Sequence, residues 1–296
     1  MLEKIFSVSA RSPLFAKLLW LTSSPGFKKH PLHVLRRCIE WEIVSLRGDT
    51  ISMPYDSGFR VTLRPGEGAS RLAFYFGHTE PALFELYEQF IKPGQVVVDA
   101  GANIGLHTLV FSRLVGPKGR VYAFEPDAIN FARLEEHLAQ NRIQNVIAAD
   151  CALGESQTQA VLVRDPSDSS RSYLSSVVGA AGSASAVRVV SLDQFAVRKS
   201  LERIDFLKVD VEGHEFPLLK GAHDLMRRGV IKTMQLEFEP GNLRSSGATD
   251  WDILDLLNES GYQRCRWSKS LQRWQCVHDE QKLSTNDFFC HESLIA

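Results

Sequence analysis

Residues 80–240 predict a doubly wound α/β fold, and three observations carry that expectation. Short runs of nothing but apolar residues recur, as at Val96-Val97-Val98 and Val121-Tyr122-Ala123-Phe124. Segments with apolar residues at helical spacing separate these runs, and a glycine-containing turn leads from the first run into the first such segment. Strands that are apolar at every position are covered on both faces, as in a parallel sheet between two layers of helices.

The chain opens outside that alternation. Residues 1–48 hold eight Lys/Arg against Glu3, Glu40 and Glu42, a balance of +5, so the remainder carries -6. Apolar residues at Ile5, Phe6, Leu14, Phe15, Leu18 and Leu19 make this stretch amphipathic. A helical cap packed on the main domain is the first reading; peripheral contact with an anionic membrane is the second. Residues 51–64 read as a β-hairpin, with Phe59-Arg60-Val61-Thr62-Leu63 returning after a Pro-Tyr-Asp-Ser-Gly turn region. Residues 1–75 are therefore expected to form a helical and β-hairpin extension, and residues 76–296 the main domain. No repeat is visible.

Thr79 is placed to cap a helix with Pro81 in its first turn and Leu83, Phe84, Tyr87 and Phe90 as its stripe, ended by Lys92-Pro93-Gly94. After the strand at Val96, a helix carries Leu106, Leu109, Val110 and Leu114. After the strand at Val121, Asp127 caps a helix bearing Phe131, Leu134 and Leu138, and Val146-Ile147-Ala148-Ala149 follows as a third strand. Residues 155–190 break the rhythm. Ala160-Val161-Leu162-Val163 and Val187-Arg188-Val189-Val190 flank a Ser/Asp/Gly/Ala-rich stretch from Asp165 to Ser185, which predicts a β-hairpin insertion with a mobile tip. A strand at Phe206-Leu207-Lys208-Val209, a helix from Glu215 to about Arg228, a strand at Thr233 to Phe238 and a helix from Trp251 to Asn258 restore the alternation. Tyr262 to Trp267 and Leu271 to Val277 suit a terminal antiparallel hairpin.

Composition narrows the function classes. With 44% hydrophobic and 23% charged residues the chain is neither disordered, collagen-like nor a disulfide scaffold. A net charge of -1 argues against a general nucleic-acid binder. Cys38, Cys151, Cys265, Cys276 and Cys290 are odd in number, widely spaced and without a CxxC, so they read as reduced thiols of a cytoplasmic protein. The best apolar run, Leu14 to Leu21, is short of the ~18 residues of a membrane span. It carries Lys17 and is not followed by a small-residue cleavage site, so neither a span nor a secretory signal is expected.

The chemistry concentrates in three places. Asp99-Ala100-Gly101-Ala102-Asn103-Ile104-Gly105 is a D-x-G-x-N-x-G turn between strand and helix. Gly101 and Gly105 let the backbone approach a ligand, and the helix amino end offers free N–H groups. Asn103 stands where a dinucleotide fingerprint needs its central glycine. An acid before the first glycine suits a ligand with both an ammonium and a carboxylate, such as the methionine moiety of S-adenosylmethionine. Glu125, 24 positions after Gly101, ends the second strand near the offset at which a carboxylate reaches ribose hydroxyls. Asp150, after the third strand, is expected beside the adenine. The third place is Asp210-Val211-Glu212-Gly213-His214-Glu215, leaving the fourth strand on the side where open α/β sheets bind ligands. His214 titrates near neutrality and is the first candidate for a general base, with Asp210 the alternative and His214 then orienting the acceptor. Glu237 and Glu239, ending the next strand, are expected to project into the same cleft. The acids lack a fixed metal-ligand spacing, so no metal is expected.

VVVDAGANIGLHT, VYAFEPD, VRVVSLDQF, FLKVDVEGHEFPLLKGA and LEFEP together resemble the FkbM-type S-adenosylmethionine-dependent methyltransferases over about residues 80–240. The resemblance implies a seven-stranded methyltransferase sheet and, usually, O-methylation of a sugar or other secondary-metabolite hydroxyl in bacteria. It implies cofactor contacts at Asp99, Gly101, Asn103, Gly105 and Glu125 and an active-site run at Asp210 to Glu215. The expected acceptor is a small molecule or a glycan, with a homo-oligomer compatible. Residues 1–75 and the tip at 165–185 fall outside the resemblance and are where acceptor choice is expected to lie. An NAD-type oxidoreductase, disfavoured by Asn103, and a non-catalytic binding module are the alternatives.

Overall fold

The computed structural model describes residues 27, 30–56, 58–77, 80–164, 172–175, 184–237, 248–277 and 286–295. The apolar residues expected in a basic amphipathic stretch at positions 5–19, the cap at Thr79, most of the 165–185 tip, and Glu239 lie outside them.

The chain enters through α1 (Pro31–Arg47), the hairpin β1 (Ile51–Tyr55) and β2 (Phe59–Leu63), and α2 (Gly68–Phe76). Then come α3 (Pro81–Phe90), β3 (Val96–Ala100), α4 (Leu106–Val115), β4 (Arg120–Phe124), α5 (Ala128–Gln140) and β5 (Val146–Ala149). The insertion holds β6 (Ala152–Leu153), β7 (Thr158–Arg164), β8 (Ser172–Ser175) and β9 (Ala184–Val190). It is followed by α6 (Leu192–Lys199), β10 (Ile204–Val209), α7 (Glu215–Lys220), α8 (His223–Arg227), β11 (Ile231–Glu237) and α9 (Asp250–Glu259). β12 (Tyr262–Ser268), β13 (Arg273–Cys276) and β14 (Asn286–His291) follow, with a 3-10 turn at Glu292–Leu294 after them.

The main sheet runs β13-β12-β14-β11-β10-β3-β4-β5. β11, β10, β3, β4 and β5 are parallel, while β14 runs antiparallel to β11 and β12. This is the doubly wound α/β sheet the apolar runs predict. Among the described residues it has eight strands, one more than the resemblance implies, the extra one being β13, outer partner of the terminal hairpin. From β3 the chain builds outward through β4 and β5, then returns to add β10 and β11 on the other side. The switch point thus lies between β3 and β10, and a crevice opens at their carboxyl ends.

Two expectations are corrected. The insertion is a four-stranded sheet, β6-β9-β7-β8, rather than a hairpin alone. β7 and β9 pair antiparallel as expected, but β8 adds to the far side of β7, and its serines hide the strand from composition. The single helix expected from Glu215 to Arg228 is two. At Gly221 a Cβ would lie 1.9 Å from the Gly154 carbonyl oxygen. α8 then starts against Asp193, whose carboxylate accepts from the N–H groups of Asp224 and Leu225 at 3.1 and 3.0 Å.

Both faces of the sheet are buried. Val98, Leu207 and Met234 face one apolar cluster with Leu218 and Leu257, while Val97, Phe206 and Phe288 face the other. Trp41, Tyr55, Leu63 and Tyr75 of the amino-terminal extension belong to that second cluster. β2 is also held along its backbone by α5. The Thr62 N–H donates to His137 Nε2 at 3.1 Å, the Arg60 N–H donates to Asn141 Oδ1 at 2.8 Å, and Asn141 Nδ2 donates back to the Arg60 carbonyl at 2.8 Å. Among the described residues no helix is long and apolar enough to cross a membrane.

Candidate active site

A cavity with about 610 Å³ of empty space, its open mouth included, sits at the switch point. Gly101, Asn103, Glu125, Asp210 and Glu212 line it, with Leu162 of β7 and Leu174 of β8 closing one wall. Gly101 is required by a close approach. Its φ is +80°, and a Cβ there would lie 1.7 Å from the Asp210 carbonyl oxygen. The glycine loop and the exit of β10 are thereby pressed together, with the Asp210 N–H donating to the Ala100 carbonyl at 3.0 Å.

Asn103 takes a left-handed φ of 51° and turns its N–H onto Glu125 Oε2 at 2.7 Å. The other Glu125 oxygen accepts from the Asp127 N–H at 2.8 Å. Glu125 is only 4% exposed, and burial pushes its pKa up to about 8 despite both backbone donors. Asp99 lies wholly buried beneath the loop. One of its oxygens accepts from the Thr108 hydroxyl at 2.6 Å, and the other has no hydrogen-bond partner among the described residues. Gly105 starts α4 and faces Leu134 of α5 rather than the cavity.

Besides Gly105, two further sequence candidates are placed elsewhere. Asp150 is 68% exposed and pairs with Arg188 at 2.7 Å. The chain turns after β5, so Ala152 and Leu153 line the wall where the carboxylate was expected. His214 precedes α7 and points at the insertion, its Nε2 only 3.0 Å from where a Gly154 Cβ would stand. It is not among the residues that line the cavity, and burial lowers its pKa. Of the candidate catalytic trio, Asp210 and Glu212 are brought together in the cavity.

Sequence reasoning passed over Lys208. The side chain is buried, and its Nζ donates to Asp210 Oδ2 at 2.8 Å. Burial alone would lower its pKa, but Asp210, Asp99 and Glu237 outweigh that and raise it, so the ammonium is kept. A lysine inside an otherwise apolar strand was the available signal. Beside it, burial and then Asp210 push the Glu237 pKa up to about 8. Glu80 and His107 form a second pair at 3.2 Å, and Tyr87 donates to Gln235 Oε1 at 2.6 Å. Nothing local joins residues 80 and 107, which meet only because α3 folds over α4. Among the described residues no group of three or more His, Cys, Asp or Glu is arranged to hold a metal ion.

The Methyltransferase FkbM domain matches residues 99–264, which holds both the glycine loop and the Asp210 run. The chain belongs to the FkbM methyltransferase family. Methyltransferase sdnD of Sordaria araneosa is 31% identical, over 68% of this chain and 91% of its own. Hexuronic acid methyltransferase AglP of Haloferax volcanii is 27% identical, over 76% and 87%. The 31-O-demethyl-FK506 methyltransferase FkbM of Streptomyces tacrolimicus is 28% identical, over 45% and 62%. As an FkbM-family protein, the chain is an S-adenosylmethionine-dependent methyltransferase. Its site fits that cofactor. Glu125 lines the cavity, whereas Asp99 lies beneath it and does not; the Glu125 carboxylate and the unpartnered Asp99 oxygen are acceptors of the kind that ribose hydroxyl and ammonium donors require.

Proposed function

We propose that this enzyme methylates a hydroxyl oxygen of a sugar, glycan or secondary-metabolite acceptor, with Asp210 taking the proton. S-adenosylmethionine supplies an electrophilic methyl group on a sulfonium. The Glu125 carboxylate would accept from the ribose hydroxyls, the Gly101–Asn103 loop would hold the methionine end, and Asp99 beneath that loop would favour its ammonium. The observation behind the Asp210 assignment is its position. It lines the same cavity as Glu125, is 34% exposed, and has its second oxygen tied to Lys208. That tie fixes the carboxylate's direction, which matters because in-line displacement draws most of its rate from positioning. Glu212 borders the acceptor from the same turn, and His214 supports the turn from behind.

The substrates for which AglP and FkbM are named, a hexuronic acid and an O-demethylated metabolite, support oxygen as the atom methylated. A net charge of -1 supports a small-molecule or glycan acceptor over nucleic acid, and free cysteines support a cytoplasmic setting. Residues 1–75 and the β7–β9 insertion, which brings Leu162 and Leu174 to the cavity, are the parts we assign to acceptor choice.

The test is methyl transfer from labelled S-adenosylmethionine to a panel of hexuronates, neutral hexoses and alcohol-bearing metabolites, with the product bond identified by NMR. A methyl ether is expected. Asp210→Asn should lower turnover by about 10²–10⁴ and His214→Gln by no more than a few-fold. A methylated nitrogen or carbon would overturn the oxygen assignment. A His214→Gln loss as large as that of Asp210→Asn would return the base role to the histidine.

A further inference from the structure

Three of the five cysteines, far apart in sequence, meet on three neighbouring strands at the edge of the main sheet. Cys265 of β12 stands directly opposite Cys276 of β13. One step along, the Val277 N–H donates to the Arg264 carbonyl at 2.8 Å, which marks residues 264 and 277 as the hydrogen-bonded pair. Cys265 and Cys276 are therefore a non-hydrogen-bonded pair, the kind whose Cα atoms lie about 4.5 Å apart with side chains close. That spacing falls inside the ~4.4–6.8 Å over which a disulfide closes without moving the backbone. Cys290 of β14 is diagonal to them. It stands opposite Gln263, while Phe288 stands opposite Cys265. Cys265 is 2% exposed and Cys290 fully buried, whereas Cys276, on the edge strand, is half-buried and reaches solvent.

We propose that Cys265 and Cys276 are an oxidisable dithiol that a peroxide closes into a cross-strand disulfide. Cys276 meets the oxidant first. Its sulfur takes one peroxide oxygen, the O–O bond breaks, and a water leaves, giving a sulfenic acid. The Cys265 sulfur then attacks the Cys276 sulfur, the S–S bond forms as the S–O bond breaks, and the hydroxyl departs as a second water with the Cys265 proton. Two electrons and two protons pass from the thiols to the peroxide. Cys265 suits the attacking role because hydrogen bonds from Cys290 and Cys276 hold its pKa below the usual thiol range. Cys290 also touches the Cys265 sulfur and is the competing partner. It stands diagonal to Cys265, and diagonal Cα atoms lie about 7–8 Å apart, beyond the ~4.4–6.8 Å over which a disulfide closes without moving the backbone; the directly opposed Cys276 is therefore favoured.

The experiment treats the full-length protein with hydrogen peroxide, blocks the remaining thiols, and maps peptides by mass spectrometry without reduction. The expected product has lost two hydrogens and two free thiols, carries one link between the Cys265 and Cys276 peptides, and is restored by dithiothreitol. Cys290→Ser should form the same link, and Cys276→Ser should form none. A Cys265–Cys290 link, a sulfinic or sulfonic acid on Cys276 with no link, or five thiols still free after treatment would each overturn the proposal. Trp267 and Trp274, the next opposed pair on the same face, give a second readout on the wild-type chain, since a new disulfide there quenches their fluorescence.

Discussion

Glu125 shows how much one side chain can be asked to do. It orders the glycine loop through the Asn103 N–H and the start of the next turn through the Asp127 N–H, yet burial keeps its pKa near 8. Ribose hydroxyls donate to the charged form, so the cofactor binds the ionised carboxylate better and releases a proton where Glu125 was still protonated. Cofactor affinity should therefore rise with pH up to about 8 and level off above it. Glu125→Gln should flatten that profile and weaken binding by roughly ten- to a hundred-fold. Calorimetry across that range checks it, and a flat wild-type profile would remove Glu125 from the ribose. This residue was legible because a carboxylate after a strand, at a set distance from a glycine turn, is a local pattern. Asp150 and His214 looked as good by residue type. Their misplacement follows from where the chain turns after β5 and where α7 leans, and no nearby residue encodes either.

At the scale of elements, α5 shows a boundary the sequence carries and α8 one that it does not. Asp127 precedes α5 and accepts from the N–H groups of Ile129 and Asn130 at 2.9 and 3.0 Å, the local capping expected from its position. It also binds Arg164 at the end of β7, joining the helix to the insertion. Asp127→Ala loses both, and chemical denaturation should show about 1–3 kcal/mol less stability. Asp127→Asn, which still caps, should fall between Ala and the wild type; equal losses for the two variants would mean the Arg164 pair supplies all of the effect. The start of α8 is set by Asp193, about 30 residues upstream, and by the pressure of Gly154 on Gly221. Helical periodicity runs unbroken through 215–228, so a break imposed by packing left no trace in it.

Across the whole molecule, the amino-terminal extension and the sheet are one body of packing, tied at the clasp between β2 and α5. His137 Nδ1 meets the Ile104 carbonyl at 2.7 Å, and Nε2 lies 3.1 Å from both the Thr62 nitrogen and the Thr62 carbonyl oxygen; in the neutral ring Nε2 accepts from that N–H. Burial, with Arg133 nearby, lowers the folded pKa below the unfolded value of about 6.5. The unfolded chain then binds the extra proton as pH drops through that value. His137's contribution is complete above about 6.5 and declines below it. Thermal melts at about pH 7.5 and pH 5.5 check this. The gap between wild type and His137→Gln should narrow at the lower pH, and a constant gap would show that the ring is not held neutral. The same clasp sets an order of events during synthesis. Its bonds span 75 and 81 residues, and the hairpin is made first. Until Asn141 has left the ribosome, the outer edge of β2 has no side chains to occupy it. The hairpin of β1 and β2 thus waits for a helix two strands downstream before it can dock along this edge.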